Sequence, residues 1–560
     1  MYIRVKSTPN SPRKSIQIVE GVRVGDKVKQ RIVHHVGIAL DDREEQKLKD
    51  YGAELIAKII IQREKQSHQA SLLPLLEKDI TEYNKNKRGR PKRKNIEDII
   101  PPEEVLLGEV KEQARITEGV HEVAGVVFDD IYPSLLEEKR AQQCLRDLVL
   151  ARLVEPASKH QTQKRLIKQF DKEYSLDFIY RVMDKLFPRV SMMKKMTFEK
   201  TRSLFPDQVD LLLFDVTTLY FESTEVDDLR NFGYSKDHRF NTTQVVLALA
   251  TNQDGLPVGY ELFEGNKAEV TTLVAAIESW KKIFRIKSVC FVGDRAMFTK
   301  ANIELLESLQ YQYIIAAKLK TLPQVIQQKI FDEQYYQPTV LKNEFSWIGE
   351  FEYLGQRLVV SYKSRRALKD QRDRQHVLEK IKKNIGNKGH VGKLITNQGV
   401  KKFVTTDKNS TVSLDENKIE NAAQWDGLHG VITNIRNASP ESLIARYAKL
   451  WIIEESFRIN KHTLKMRPIF HWKSERIHAH IAICYMTFSV LRHLQYRVNL
   501  TQKLSVDSIL EELLNVQASI YIHKRTQDRY RVPGTFTNEA RKIYKAFSLE
   551  RSLDAAIYWP

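Results

Sequence analysis

Three acidic residues stand where a carboxylate needs a reason. Asp215 lies inside an apolar run, between LLLF and VTTLYF. A carboxylate buried in such a strand is costly unless a cation, a ligand or a neighbouring Lys or Arg compensates it. Asp294 ends VCFVG and precedes RAMFTKANIELLESL, so it suits either a ligand site at a strand end or a helix N-cap. Glu454 belongs to a helix predicted over 440–465. At about 100° per residue, Tyr447, Trp451, Glu454, Arg458, Lys461 and Lys465 share one stripe, beside an apolar face of Leu450, Ile453, Phe457 and Leu464. Glu455 points about a quarter turn away from that stripe. A solvated face with pairs such as Glu454–Arg458 has the same pattern. Taken together, two Asp on neighbouring strands and a Glu on a later helix can converge on two divalent cations. Mg²⁺, with Mn²⁺ as a substitute, prefers such hard oxygen donors. Two ions ~4 Å apart activate a water or 3′-hydroxyl and stabilise the leaving oxygen of a phosphodiester.

The elements that must position these residues are legible in outline. LLLFDVTTLYFES (211–223), TQVVLALAT (243–251) and VGYELFEG (258–265) read as three consecutive strands. A helix near 270–284, the run VCFVGD, a helix near 300–309 and the run YIIAAKL follow. This order predicts a mixed α/β sheet with helices packed on it. From 321 to 435 short β-like pieces (FSWIGEFEYL, RLVVSY, KKFVTT) surround a charged helical stretch, and we expect an insertion with its own β structure. Between Lys363 and Lys402 it carries thirteen Lys and Arg against three acids. The expected layout is an α+β region at 1–84, a basic linker at 85–102, a helical segment at 103–206 and core strands at 207–320. The insertion, a catalytic helix at 436–475 and a helical tail at 476–560 complete it.

Composition narrows the class. The 560 residues include 90 Lys plus Arg against 71 Asp plus Glu, a formal charge of +19, which favours a polyanionic partner. At 42% hydrophobic and 9% aromatic, the chain can build several ordinary cores. Cys144, Cys290 and Cys484 are far apart, which excludes a disulfide framework or a zinc ribbon. The N-terminus lacks the apolar core of a signal peptide, and the longest late apolar run, 479–491, is short of the ~20 residues a membrane span needs. A soluble, cytoplasmic protein without a membrane partner is expected.

Rival motifs fail on spacing. GNKGHVGKL (386–394) has one residue too many between its glycines for a P-loop, and Leu394 where Ser or Thr belongs. His471, His478 and His480 have no Cys or acidic partner at ligand spacing. KRGRPKRK (87–94) is more informative, with seven Lys and Arg and no acid between Lys85 and Lys94. Its Arg88-Gly89-Arg90-Pro91 core resembles an AT-hook, which inserts two arginines into a narrow minor groove. A basic linker held by phosphate charge alone is the plainer account.

The ordered set LLLFDVTTLYF, FVGDRAMFTKANI and RYAKLWIIEESFRINKHTLKMRPIFHW resembles bacterial insertion-sequence DDE transposases of the Tn-five and Tn-ten group, in its sixteen-thirty-four branch. That group carries Tyr-x2-Arg-x3-Glu-x6-Lys around its Glu. Tyr447, Glu454 and Lys461 match, while Leu450 stands in the Arg position and Arg458 is a substitute on the same stripe. The resemblance covers most of residues 1–500. It implies an RNase H-like core interrupted by a β-rich insertion, with Asp215, Asp294 and Glu454 as ligands of two Mg²⁺. Tyr447, Arg458, Lys461 and Lys465 would hold phosphates, and Arg88 and Arg90 would touch DNA. Trp347 would stack on a flipped base, or else pack in a core. Partners would be double-stranded DNA, both element ends and target, and a second copy of the chain. The implied reaction is end cleavage and strand transfer in a bacterial or archaeal cytoplasm. A catalytically inactive DNA-binding descendant and a purely hydrolytic RNase H-like nuclease are the alternatives.

Overall fold

The computed structural model describes residues 1–7, 14–24, 27–39, scattered positions from 42 to 56, 105–205, 211–233, 241–284, 290–294, 298–341, 344–385, 401–406 and 412–558. Arg88, Arg90 and the 386–394 motif lie outside the described residues. The chain divides into two compact units, Met1–Val105 and Leu106–Pro560. In the first, β1 (Tyr2–Ser7), β2 (Lys14–Val24) and β3 (Lys27–Ala39) form an antiparallel sheet in chain order. Ile16 and Ile18 of β2 are buried, which is what its alternating pattern requires. The described positions from 42 to 56 are helical.

The second unit opens with β4 (Val110–Thr117), a strand inside the segment expected to be helical. Five helices from Gly125–Ile131 to Val190–Ser203 follow. Next come β5 (Leu211–Tyr220), β6 (Gln244–Thr251), β7 (Pro257–Glu264), β8 (Cys290–Gly293) and β9 (Gln312–Ala316). The insertion supplies β10 (Tyr336–Leu341), β11 (Glu344–Tyr353), β12 (Gln356–Lys363), the short hairpin β13 (Val404–Thr406) and β14 (Val412–Leu414), and β15 (Leu428–Thr433).

One nine-stranded sheet gathers most of these, in the order β10-β11-β12-β15-β9-β8-β5-β6-β7. Only the β5–β8 and β8–β9 pairs are parallel. The insertion therefore does not keep its β structure to itself, as its sequence suggested. Its strands continue the central sheet, with β15 pairing Val431 to Ala316 on β9. Without that pairing β9 would expose a row of unpaired backbone groups. Only β13 and β14 stand aside, packed with the helix Ser364–Ile385 around Ile381, Phe403, Val404 and Val412.

Strand parity sorts the core into two layers. Leu211, Leu213, Leu219, Val245, Leu247 and Leu249 join one cluster, and Leu212, Phe214, Val216, Val246, Ala248 and Ala250 join the other. The second face is covered by Glu269–Phe284 and Lys300–Ser308, whose residues include Trp280 and Leu306. The first face meets a helical bundle around Ser474–Asn499, which is buried almost without break from Ile477 to Leu494. A helix apolar on every side must be enclosed, and here protein encloses it. No described helix is long and apolar enough to cross a membrane.

The tail is not wholly helical, contrary to expectation. After the helix Val506–Asn515 it forms β16 (Gln517–His523), β17 (Arg529–Pro533) and β18 (Ala556–Ile557), in a sheet ordered β18-β17-β16-β4. The alternation in QASIYIH carries that strand, with Ala518 and Ile520 buried against Ile116. A charge cluster fastens the closure. Arg551, 2% exposed at its side chain, reaches Glu118 at 2.5 Å and Glu122 at 2.6 Å, and Arg531 reaches Glu118 at 2.5 Å. Replacing Arg551 with Met should leave two partly buried carboxylates sharing one cation. We expect a loss on the order of 3 kcal/mol, read as a lower denaturant midpoint for the full chain.

Candidate active site

β5 and β8 run parallel with Leu211 beside Cys290, Leu212 beside Phe291 and Leu213 beside Val292. Continued by two residues, the same offset would bring Asp215 of β5 level with Asp294, which directly follows the end of β8 at Gly293. Parity assigns Asp215 to the bundle-side face of β5. Leu213 and Leu219 on β5, and Cys290 and Val292 on β8, all turn toward the bundle side, and Asp215 shares the parity of the β5 pair. Asp215 is partly buried and accepts the Val216 N–H at 2.7 Å, whereas Asp294 is exposed. Gly293 lets the chain pass closely here, because a Cβ would come within 2.7 Å of the Phe298 ring. Asp294 does not cap the helix Lys300–Ser308. Thr299 does, by accepting the Asn302 N–H.

The helix that carries Glu454 covers this same face. Ile452, Ile453 and Phe457 join the bundle-side core, and the helix packs along β5. It is not the single rod expected over 440–465. Ser439 caps Pro440–Tyr447, a tight turn follows, and Trp451–Arg458 then resumes. In that turn Leu450 N bonds Tyr447 O at 2.9 Å and Ile453 N bonds Leu450 O at 3.1 Å. Ile459–Thr463 widens into a π turn that contains Lys461. Lys465 lies beyond the last turn with φ 42, so it leaves the stripe that regular helical spacing assigned to it. Leu450 is partly buried and packs on the core, an apolar anchor where the related signature has Arg.

Glu454 is exposed, while its neighbour Glu455 locks the helix in place. Glu455 pairs with Arg492 at 3.5 Å and with Arg458 at 3.6 Å. The buried Arg492 guanidinium also donates to the Gly255 carbonyl at 2.9 Å. Gly255 has φ +79, and a Cβ there would run into that guanidinium. Arg458 thus answers Glu455 rather than Glu454, as its i,i+3 position allows.

Tyr447 reports how the acids lie. Burial, then the charges of Asp294 and Glu454, push its phenol up to about 12, while Arg366 pulls the other way. One phenol therefore feels both carboxylates and one guanidinium from the insertion. His429 packs its ring 5.1 Å from the Tyr447 ring and is held down to about 4 by burial, Arg366 and Lys363. His429, Arg366 and Lys363 were not singled out as site residues by sequence. The signal for them was the basic excess after Lys363 and the stretch WDGLHGVITN. Trp347 lies apart on β11, opposite Pro338 and Tyr362. It is 39% exposed and lines a cavity of about 460 Å³ with Phe331, Tyr336 and Tyr362. His480 is buried in the bundle, and His471 and His478 are partly buried beside it.

Among the described residues, no group of three or more His, Cys, Asp or Glu side chains is gathered tightly enough to hold a metal ion. Asp215, Asp294 and Glu454 do not close into such a cluster. As a donor set they offer carboxylate oxygens alone, which fits Mg²⁺ or Mn²⁺ and not zinc or copper.

A mixed sheet with one carboxylate on a central strand, a second just after its parallel neighbour, a third on a covering helix and a basic wall beside them is the framework of a phosphoryl-transfer enzyme. Comparison with protein families agrees. The transposase DDE domain matches residues 208–489, and the IS1634 family transposase N-terminal domain matches residues 3–68. The first match spans half of the chain, and the chain belongs to the DDE transposases, as an insertion-sequence transposase of the IS1634 family. Membership implies DNA binding, a divalent metal and an RNase H-like core. A search among curated proteins finds no match.

The depressed His429 makes a pH prediction. Folded, it stays neutral down to about 4, while an unfolded chain protonates it near 6.5. Stability should therefore fall as pH drops from 6.5 toward 4. His429→Gln should flatten that slope by up to about one bound proton, measured from denaturation midpoints across the range. Imidazole ¹⁵N spectra should show Arg366→Gln moving His429 back toward its ordinary value.

Proposed function

We propose that Asp215, Asp294 and Glu454 are the catalytic carboxylates of this transposase. In this reading they hold two Mg²⁺, cleave DNA at the element's ends and pass the freed 3′-hydroxyl into target DNA. What supports the reading is that the charges of Asp294 and Glu454 both act on Tyr447, and that Asp215 sits in the strand paired with β8, just before Asp294, inside the DDE-matched segment. The β7-β6-β5-β8-β9 order, antiparallel then parallel, supports an RNase H-like core. A divalent cation, when bound, supplies Lewis-acid activation of the attacking oxygen and offsets charge building on the phosphorus oxygens.

The side chains have distinct tasks. Tyr447, kept protonated well above neutral pH, donates its O–H to a non-bridging phosphate oxygen. Arg366 and Lys363 bring positive charge from the insertion, and Arg366 takes over the task of the signature Arg that Leu450 lacks. Arg458 and Lys461 extend the basic track for the DNA backbone. His429, neutral, supports the Tyr447 ring by packing. In the first step a water oxygen bonds to phosphorus and the bond to the 3′ oxygen breaks, leaving a 3′-hydroxyl and a 5′-phosphate. In the second that 3′ oxygen attacks a target phosphate and displaces a target 3′-hydroxyl. The nucleophile is water or DNA, so no covalent enzyme–DNA intermediate forms.

Residues 1–84 and 103–206 would grip the element ends, helped by Arg88 and Arg90 of the linker at 85–102, with Trp347 receiving a displaced base. Two ends must be joined, so a homodimer on DNA is proposed. With Ser474–Asn499 enclosed in the bundle, the pairing surface within 476–560 falls to the later part of that tail.

The test uses a supercoiled plasmid carrying the DNA ends that flank the coding region. Wild-type protein in Mg²⁺ should cut at those ends and yield joined products. Asp215→Asn, Asp294→Asn and Glu454→Gln should each lose at least ~10³-fold in cleavage while still shifting the end DNA in a gel. Tight binding without cuts in Mg²⁺ or Mn²⁺ would overturn the reading in favour of an inactive DNA-binding descendant. Cuts without joined products would leave only a nuclease.

A further inference from the structure

A second concentration of charge lies away from the carboxylates. A cavity of about 190 Å³ opens between the end of Lys139–Val154, the start of Lys159–Phe170, the chain at 465–471 and the helix Ser474–Asn499. Arg152 and Lys159 line it and are 4% and 5% exposed. Lys465, Arg467 and His160 line it as well. Arg152 donates through Nη2 to the Lys465 carbonyl at 2.6 Å, while its buried Nε has no hydrogen-bond partner. Lys159 Nζ lies 3.5 Å from His480 Nδ1. His480 Nε2 lies 3.2 Å from the Met466 carbonyl, so the neutral ring donates there and keeps its Nδ1 lone pair for the lysine.

Among the described residues, no carboxylate forms a salt bridge with Arg152 or Lys159. Burial and Arg152 bring Lys159 down to about 7. Burial with Lys159, Arg476 and Arg152 holds His471 down to about 3. Every buried arginine elsewhere that fastens the fold has an acid beside it, as Arg551, Arg492 and Arg357 do. Two cations taken from water together without a counter-charge are unfavourable, and an anion would reverse that. The backbone adds to the field. Ser158 caps the twelve-residue helix Lys159–Phe170 by accepting the Gln161 N–H, which leaves the N–H groups of Lys159 and His160 at its positive end beside the cavity. The space suits one tetrahedral oxyanion with water and is smaller than pockets that enclose a whole nucleotide.

We propose that this cavity is a binding site for a single phosphate group, received by Arg152, Lys159 and the first N–H groups of Lys159–Phe170. The proposal is independent of the carboxylate reading, since Arg152 and Lys159 have no part in that reading. Its phosphate comes either from solution or from a nucleic-acid strand.

The test titrates inorganic phosphate into the full-length protein by calorimetry, at constant ionic strength set with chloride. Saturable binding is expected, along with a rise in melting temperature. Lys159→Met and Arg152→Met should each weaken phosphate binding more than tenfold. Lys159→Met should also raise the melting temperature of the phosphate-free protein, because a buried unpaired charge is gone. No saturable binding to the wild type, a result that needs no variant to fold, would overturn the proposal. Undiminished binding in both variants would do the same. A fluorescent single-stranded oligonucleotide separates the sources. Its displacement by phosphate from the wild type, but not from Lys159→Met, identifies a strand phosphate. Saturable phosphate binding that leaves the oligonucleotide in place identifies free phosphate.

Discussion

β5 and β6 are covered on both faces, and parity sorts their buried apolar residues into one of two layers. Asp215 interrupts the bundle-side set of β5 and cannot move to the other face without turning the whole strand over. Asp215 is only partly buried, and the strand beside it, β8, ends at Gly293. Asp294 follows at once. The covering helix buries Ile452, Ile453 and Phe457 and leaves Glu454 exposed. The acids are held by apolar packing of their neighbours, and no acid needs to pair with another to stay in place.

That packing would let the helix slide along the sheet, and polar contacts prevent it. Glu455, Arg492 and the Gly255 carbonyl tie the helix to the β6–β7 turn and to the enclosed helix Ser474–Asn499 together. Lys449 adds a hydrogen bond to Gln253 at 2.8 Å. At the far end Ile469 bridges to Phe221, just beyond β5. The tight turn at Leu450 and the π turn at 459–463 adjust a helix that must meet fixed points at both ends. Such departures from regular spacing commonly mark functional helices.

Charge is handled in opposite ways across the unit. The structural arginines Arg357, Arg492 and Arg551 are matched to carboxylates, whereas Arg366 of the insertion, 3.8 Å from Asp370, also acts on Tyr447 together with Asp294 and Glu454. The insertion contributes in two ways. Its strands complete the sheet, and its basic helix Ser364–Ile385 raises positive potential beside the acids. A polyanion drawn to that wall would find the carboxylates next to it.

The sequence alone carried the acids, the mixed sheet and the family, because each rests on local order: apolar runs of strand length, acids at fixed places in them, and a signature helix. It also put Glu454 forward over Glu455, and it is Glu454 whose charge acts on Tyr447. Only the tertiary structure decided what depends on distant partners. The insertion strands joined the main sheet because β9 had an open edge, and the tail formed strands because β4 lay ready to pair. Lys465 left the stripe where the π turn broke the helical period. Arg458 turned to Glu455, and His429 and Arg366 came to Tyr447 from the insertion. Periodicity records which way a residue faces within its own element. What it meets there is set by packing between elements far apart in the chain.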